Sequence, residues 1–355
     1  MIKVLVVDDS ALIREVLSSL LSAGDDIHVV GTACDPIDAR GKIKTLNPDV
    51  VTLDIEMPNM NGLAFLEKIM RLRPTPVVMI STLTQKGAQE TLLALELGAV
   101  DFVAKPGHDL AGGLEQFGRE VRDKVIAASQ SDVRGRAMAR QPSAQRDATP
   151  AKPVATGAKV SSNALIAIGA STGGVEAVKT VLSGMPADCP PIVIAQHMPA
   201  GFTARFAQRL NETCALTVME ATERLVLKPG HAYVAPGSAH LRIEKSSGQL
   251  KCRLGDDGCV SGHRPSVDVL LESVAKQVGG DAVGAILTGM GKDGAKGMKM
   301  MHDAGCYTLG QSKSSALIYG MPRAAMELGA VDEEAPVEKI AAMLIRALER
   351  RKAAA

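Results

Sequence analysis

The chain contains no tryptophan, and three tyrosines and five phenylalanines are its only other large aromatics. Base-stacking platforms for single-stranded nucleic acid need several such rings and are not expected here. An excess of charge is missing too, since 40 basic residues face 39 acidic ones for a net charge of +1. That balance gives no electrostatic footprint for nucleic acid or an anionic membrane surface. The six cysteines (Cys34, Cys189, Cys214, Cys252, Cys259, Cys306) form no C-x-x-C pair and stand at no zinc spacing with histidine. Free thiols in a reducing compartment are therefore expected, without a disulfide framework. No apolar run reaches membrane-spanning length, and the opening MIKVLVVDDS meets two acids after four apolar residues. It reads as neither a signal peptide nor a span. The expectation is a soluble, cytoplasmic monomer that neither binds nucleic acid nor inserts into a membrane.

What is present is a long alternation of strand and helix patterns. At 355 residues the chain is long for one core, and two domains are the natural division. Over residues 1–129, buried-strand patterns at Val4–Val7, Val29–Gly31, Val50–Leu53, Val77–Ile80 and Asp101–Ala104 alternate with helical spacing. The helices are expected over Ser10–Leu21, Pro36–Leu46, Gly62–Leu72, Gln85–Leu97 and Leu114–Ala128. Such a (βα)5 series predicts a parallel, flavodoxin-like sheet with its site at the strand C-termini. Polar residues fall at those ends: Asp8 and Asp9, Asp54, Ser81, and Lys105. Converging carboxylates suit Mg²⁺, and a lysine and a hydroxyl opposite them complete a cradle for one phosphoryl group. A single aspartate at a strand end is usually a helix cap, but that reading does not explain a match in four of the five units.

These residues, with Met57-Pro58 and Gly62, resemble the receiver domain of two-component response regulators. The resemblance implies that Asp54 accepts a phosphoryl group from a histidine kinase. It further implies Mg²⁺ held by Asp9 and Asp54 with Asp8 nearby, and the backbone carbonyl of Glu56 as a further ligand. Ser81 would be the hydroxyl that moves toward the phosphate, and Lys105 its ion-pair partner. Phe102 stands where the family has an aromatic switch, although a plain core role fits the residue equally well.

From 130 to 160 the periodicity stops in favour of Ala, Pro, Ser, Thr, Arg and Lys, as in a flexible tether. Over 161–351 strands and helices alternate again. The stretch Leu165–Gly174, LIAIGASTGG, joins a buried strand to a helix through G-x-S-x-G. Such a corner suits a serine nucleophile, an anion or nucleotide cradle, or a purely structural turn, and by itself does not separate them. Further strands are expected at Pro191–Ala195, Ala282–Leu287 and Tyr307–Gly310, and short ones, some antiparallel, at Leu216–Glu220, Ala232–Ala235 and Leu241–Lys245. Leu250–Leu254 would pair in a hairpin. Helices are expected over Thr203–Leu210, Val267–Val278 after a Ser266 cap, and Pro336–Arg350. Of the seven histidines, His197 stands just past a buried strand, whereas His231, His240 and His263 read as turn or loop residues and His302 lies on a helix. Asp293 shares the address of His197, although an Asx turn or a cap before Gly294 would explain it as well. Ser171, His197 and Asp293 thus meet at one sheet edge in the manner of a serine hydrolase. Their chain order differs from that of the α/β-hydrolase fold, so a doubly wound, mainly parallel sheet of another kind is predicted.

GASTGG at 169–174, QHMP at 196–199 followed by FTARFAQRL, APGSAH at 235–240, RPSVDVL at 264–270 and LTGMGKDG at 287–294 are similar to the CheB-type chemotaxis methylesterase family. Behind a receiver, the resemblance covers the whole chain. It implies hydrolysis of glutamate γ-methyl esters, and deamidation of glutamines, on the cytoplasmic helices of methyl-accepting chemoreceptors. Ser171, His197 and Asp293 would be catalytic, with Thr172 and Met290 lining the site and donating backbone N–H groups to an oxyanion. No cofactor is implied for this domain. Phosphorylation would gate it, an unphosphorylated receiver covering the Ser171 edge. A response-regulator adaptor that only binds, and a nucleotide-binding output domain, are the alternatives.

Overall fold

Short runs of Val, Leu and Ile, too brief for helices and without polar alternation, become the inner strands of two parallel sheets. The computed structural model describes residues 1–57, 61–82, 84–106, 110–133 and 163–354. Pro58 of the first motif and residues 134–160 of the expected tether lie outside the described residues. The chain divides into two units, Met1–Arg146 and Asp147–Ala355.

In the first unit the strands β1 (Ile2–Val7), β2 (Ile27–Ala33), β3 (Val50–Asp54), β4 (Val77–Ser81) and β5 (Asp101–Ala104) pair in parallel in the order β2-β1-β3-β4-β5. Helices α1 (Ala11–Leu21), α2 (Pro36–Leu46), α3 (Gly62–Leu72), α4 (Gln85–Leu97) and α5 (Leu110–Ser129) follow the strands in turn. Ser10, Asp35, Asn61 and Thr84 cap the first four through side-chain oxygens. The strand order reverses between β1 and β3, which opens a crevice at their C-terminal ends.

The second unit begins with β6 (Leu165–Ala170), α6 (Gly174–Ser183), β7 (Ile192–Gln196), α7 (Phe202–Thr213), β8 (Thr217–Glu220) and β9 (His231–Val234). A hairpin of β10 (His240–Ser246) and β11 (Gln249–Gly255) follows, then α8 (Val267–Gln277) and β12 (Ala282–Ile286). The unit closes with α9 (Ala295–Asp303), β13 (Tyr307–Gln311), α10 (Met321–Glu327), β14 (Glu333–Ala335) and α11 (Val337–Ala354). Its main sheet runs β14-β13-β12-β6-β7-β9-β8 with every pairing parallel. The antiparallel pairing expected among the short strands is therefore confined to the hairpin, while β8 and β9 extend the parallel sheet.

Strand β6 lies at the centre and is buried on both faces. Leu165 and Ala167 join a core with Leu270, Leu271 and Val274 of α8 and Leu241 and Ile243 of the hairpin. Ile166 and Ile168 point the other way, by the period of two, and are equally inaccessible. The strand order reverses between β6 and β12, so the crevice forms where β6, β12 and β7 end side by side. Gly169 lets α8 approach that edge, since a Cβ there would lie 2.2 Å from Val267 Cγ1. The stiff, β-branched valine has no room to yield. Gly169→Ala is expected to destabilise the second unit by about 1–3 kcal/mol through overpacking, read as a lower urea midpoint.

Candidate active site

The serine corner is built by three neighbouring strand ends. Past β6, the Ser171 N–H donates to the Thr288 carbonyl at 3.0 Å, and the His197 N–H after β7 donates to the Ala170 carbonyl at 3.2 Å. The buried Gln196 amide donates through Nε2 to the Ser171 carbonyl (2.9 Å) and the His197 carbonyl (3.2 Å), tying the two loops together. Ser171 Oγ then lies 3.0 Å from His197 Nδ1, and His197 Nε2 lies 2.8 Å from Asp293 Oδ2. The structure thus brings Ser171, His197 and Asp293 into one hydrogen-bonded chain. The ring nitrogens are exchanged relative to the chymotrypsin-type arrangement, in which Nε2 faces the serine. With the proton on Nε2, donated to Asp293, the Nδ1 lone pair is free to accept the serine proton.

Asp293 is 2 % exposed and sits at the N-terminus of α8. Its Oδ2 accepts the Val267 N–H at 2.7 Å, and its Oδ1 accepts the Ser266 hydroxyl at 2.8 Å and the Asp268 N–H at 3.1 Å. Burial pulls this carboxyl upward, but the His197 hydrogen bond and charge, with the Val267 and Ser266 donors, hold it at about 2. Asp293 therefore does not cap the helix that follows it: Gly294 is the N-cap of α9 and makes no side-chain bond. It serves the N-terminus of α8 instead.

Thr172 and Met290 flank the serine. Thr172 is buried just before the N-cap of α6, and its carbonyl accepts the Thr288 hydroxyl at 3.0 Å. Met290 follows Gly289, where a Cβ would lie 2.7 Å from Ser171 Cβ, so only glycine lets this backbone pass beside the serine. Among the described residues the Met290 N–H has no hydrogen-bond partner, which leaves it available to a ligand.

Sequence reasoning passed over three contributors. His240, read as a turn residue, is fully buried; its Nδ1 accepts the Ser266 N–H at 3.1 Å while Nε2 donates to the Gly258 carbonyl at 3.0 Å. That fixes a neutral tautomer which holds Ser266 toward Asp293. Asp268 accepts the Gly297 N–H at 2.8 Å, joining α8 to α9 beside the site. Burial, with the nearby Asp293 charge, raises its carboxyl above the usual range. His263, read as a loop residue, stacks on His197 with ring centroids 3.7 Å apart. Only the APGSAH and RPSVD runs, in which His240, Ser266 and Asp268 stand, carried a signal for any of them.

The first unit has its own polar centre. Carboxylate oxygens of Asp8, Asp9 and Asp54 lie within 4.8 Å of one another. Lys105 Nζ bridges Asp8 Oδ2 at 2.9 Å and Asp54 Oδ1 at 3.0 Å. One ammonium against three carboxylates leaves a negative excess in a largely buried place, and hard oxygen donors in that number fit Mg²⁺. Burial first, then the Asp8 charge, raises the Asp54 carboxyl to about 6 despite the opposing Lys105. Burial disfavours the Lys105 ammonium, but Asp54 and Asp8 outweigh it and raise its pKa. Ser81 is buried at the end of β4; its hydroxyl accepts from Thr91 Oγ1 at 2.7 Å and faces the Gly87 carbonyl at 3.4 Å. Glu56 is exposed in the loop after β3. Phe102 is 2 % exposed, with Lys124 Nζ 5.0 Å from its ring centre. In this state it is a core residue.

Residues 166–344 match the family model for CheB methylesterase, and residues 4–111 that for the response regulator receiver domain. A protein-glutamate methylesterase/protein-glutamine glutaminase 1 of Caulobacter vibrioides is 53% identical over 355 residues, covering 99% of both chains. A Xanthomonas euvesicatoria protein of the same description is 51% identical over 346 residues, 97% of this chain and 96% of its own. Among solved structures, the Thermotoga maritima CheB methylesterase catalytic domain is 37% identical with a TM-score of 0.51, covering 52% of this chain and 99% of that one.

The Asp293 carboxyl is held below the ordinary carboxylate value, at about 2, so its stabilising contribution is complete above about pH 4 and is lost as pH falls toward about 2. Urea unfolding at about pH 5 and about pH 2 is expected to show wild type losing roughly 2 kcal/mol more than Asp293→Asn.

Proposed function

The chain belongs to the CheB methylesterase family, and on that premise we propose that Ser171, His197 and Asp293 hydrolyse glutamate γ-methyl esters under the control of Asp54. The observation that carries this reading is the continuous chain Ser171 Oγ–His197–Asp293 at 3.0 and 2.8 Å, anchored in a buried carboxylate. The adaptor and nucleotide-cradle alternatives give that chain no task.

Ser171 Oγ attacks the ester carbonyl while its proton passes to His197 Nδ1. The imidazolium so formed keeps its Nε2–H on Asp293, whose low pKa holds it as a carboxylate. The N–H groups of Thr172 and Met290 receive the negative charge on the carbonyl oxygen. His197 returns the proton to the departing methoxide, and methanol leaves an acyl-serine. Water, deprotonated by the same nitrogen, attacks the acyl carbon and frees Ser171 and a glutamate. A glutamine side chain runs the same course with ammonia as leaving group, so deamidation needs no further residue.

The first unit, as a receiver, implies a histidine kinase as phosphodonor, and a methylesterase of this family implies chemoreceptors as substrates. Asp54 is the acceptor: its carboxylate oxygen attacks phosphorus as the N–P bond to the kinase's histidine breaks and the imidazole departs, while Lys105 pairs with the phosphoryl oxygens. Mg²⁺, held by Asp8, Asp9, Asp54 and the Glu56 carbonyl, would neutralise charge on the transferring phosphoryl group. Ser81, released from Thr91, turns its hydroxyl to the phosphate, and Phe102 is the aromatic neighbour that could respond. The working limits are a receiver over 1–129, a tether over 130–160 and an esterase over 161–351. No helix among the described residues is long and apolar enough to cross a membrane. A cytoplasmic monomer acting on the receptor's cytoplasmic helices agrees with this reading.

Methanol release from methylated receptor membranes tests both halves. Ser171→Ala is expected to lower kcat by at least about 10⁴-fold. Asp54→Ala is expected to keep basal release but lose its stimulation by a small phosphodonor. Chelating Mg²⁺ from wild type should likewise remove the stimulation and leave basal release in place, and stimulation that survives chelation would exclude the metal at Asp8, Asp9 and Asp54.

A further inference from the structure

The two hydrogen bonds of His197 leave one of its motions unchecked. They run from Nδ1 to Ser171 and from Nε2 to Asp293, at opposite edges of the ring. Together they fix the direction of the line joining the nitrogens but allow the ring to tilt about that line. A tilted ring turns its lone pair out of the path of the serine proton. What opposes tilting must press on the face of the ring, and His263 does so. Its imidazole lies on that of His197 with centroids 3.7 Å apart and planes 11° from parallel.

The backbone beneath His263 is a tight turn closed by its own hydrogen bonds. Val260 and His263 exchange both main-chain hydrogen bonds, Val260 N–H to the His263 carbonyl at 3.1 Å and His263 N–H to the Val260 carbonyl at 3.0 Å. The two residues between them, Ser261 at φ 54° and Gly262 at φ 82°, both have positive φ, as tight primed turns require. Downstream, the same run supplies Ser266, Val267 and Asp268, the three donors that hold the Asp293 carboxylate. A stretch of six residues, His263 to Asp268, therefore fixes the plane of the base at one end and the position of its acid partner at the other.

We propose that His263 is a positioning residue for the ester hydrolysis, stacking on His197 to hold the imidazole in the plane of proton transfer. The stack also presents a π face to the ring that becomes imidazolium when Ser171 attacks, an attraction that grows as the charge forms. This rests on the reading of Ser171, His197 and Asp293 as the reacting chain. The role of His263 belongs to the face of its ring, so another flat aromatic ring is expected to fill it.

The test compares kcat and KM for methanol release from methylated receptor membranes, using the full chain with Mg²⁺ and a small phosphodonor. Wild type and Ser171→Ala set the limits for His263→Ala and His263→Phe. Loss of the stack in His263→Ala is expected to lower kcat by roughly ten- to a hundredfold with KM within about twofold of wild type, as for a misaligned catalytic group. His263→Phe restores the flat face and is expected to bring kcat back to within about threefold of wild type, a rescue that loss of fold or of receptor contact would not give. Wild-type kcat in His263→Ala, or a kcat in His263→Phe as low as in His263→Ala, overturns the proposal. A wild type whose release is no greater than that of Ser171→Ala overturns the esterase reading, and the proposal with it.

Discussion

A carboxylate with 2 % of its surface exposed would normally take up a proton or unfold its surroundings. Asp293 does neither because it accepts from His197 and is seated on the first turn of α8, where two main-chain N–H groups and the Ser266 hydroxyl converge on its oxygens. Much of the second unit follows from the need to place that helix end beside the end of β6. Gly169 gives α8 room to approach, and the hairpin packs on the helix, the Ile243 N–H donating to Ser273 Oγ at 2.9 Å. His240 holds the Ser266 main chain in place, while Asp268 and Gly297 fasten α9 alongside. With the acid fixed, the line joining the two nitrogens of His197 has one direction that satisfies both, and it points to Ser171.

The first unit puts carboxylates in a comparable place with the opposite result. Asp54 is buried like Asp293, yet it is raised to about 6 where Asp293 is held at about 2. The difference lies in the neighbours. Asp293 is surrounded by donors, whereas Asp54 shares its crevice with Asp8 and Asp9 and is answered by Lys105 and the Ile55 N–H. One site is electrostatically complete within the chain. The other is short of positive charge, as suits a place where a cation and a phosphoryl group come and go. The same type of strand-end crevice thus holds a closed hydrogen-bonded chain in one unit and an unbalanced carboxylate cluster in the other.

Much of this was readable from the residues alone. Uninterrupted apolar runs gave the inner strands, and Ser171, His197 and Asp293 were found by their position just past such runs. The elements that escaped were those without a periodic signal. Helix α9 was marked only by placing His302 on a helix, without bounds, α10 spans only Met321–Glu327, and β14 reads Glu333-Glu334-Ala335, a strand made by main-chain pairing with β13 rather than by side-chain pattern. The hydrogen bonding of Asp293 was anticipated as a cap, but on the wrong helix, because α8 ends its approach to the aspartate only in three dimensions. His263 gave no sign at all. Stacking on a ring 66 positions earlier in the chain, residue 197 against residue 263, is decided by tertiary packing.

The spacing of the hydrogen-bonded chain along the sequence has a consequence for the protein as it is being made. Ser171 and His197 are 26 positions apart, but Asp293 follows His197 by 96. During synthesis the serine and the histidine leave the ribosome long before the aspartate, and before β12, the strand beside which β6 must lie. Until then the imidazole has no acid partner and no stacked neighbour, and the serine remains an ordinary hydroxyl. The hydrogen-bonded chain from Ser171 to Asp293 closes only once β12 and the loop after it have been made.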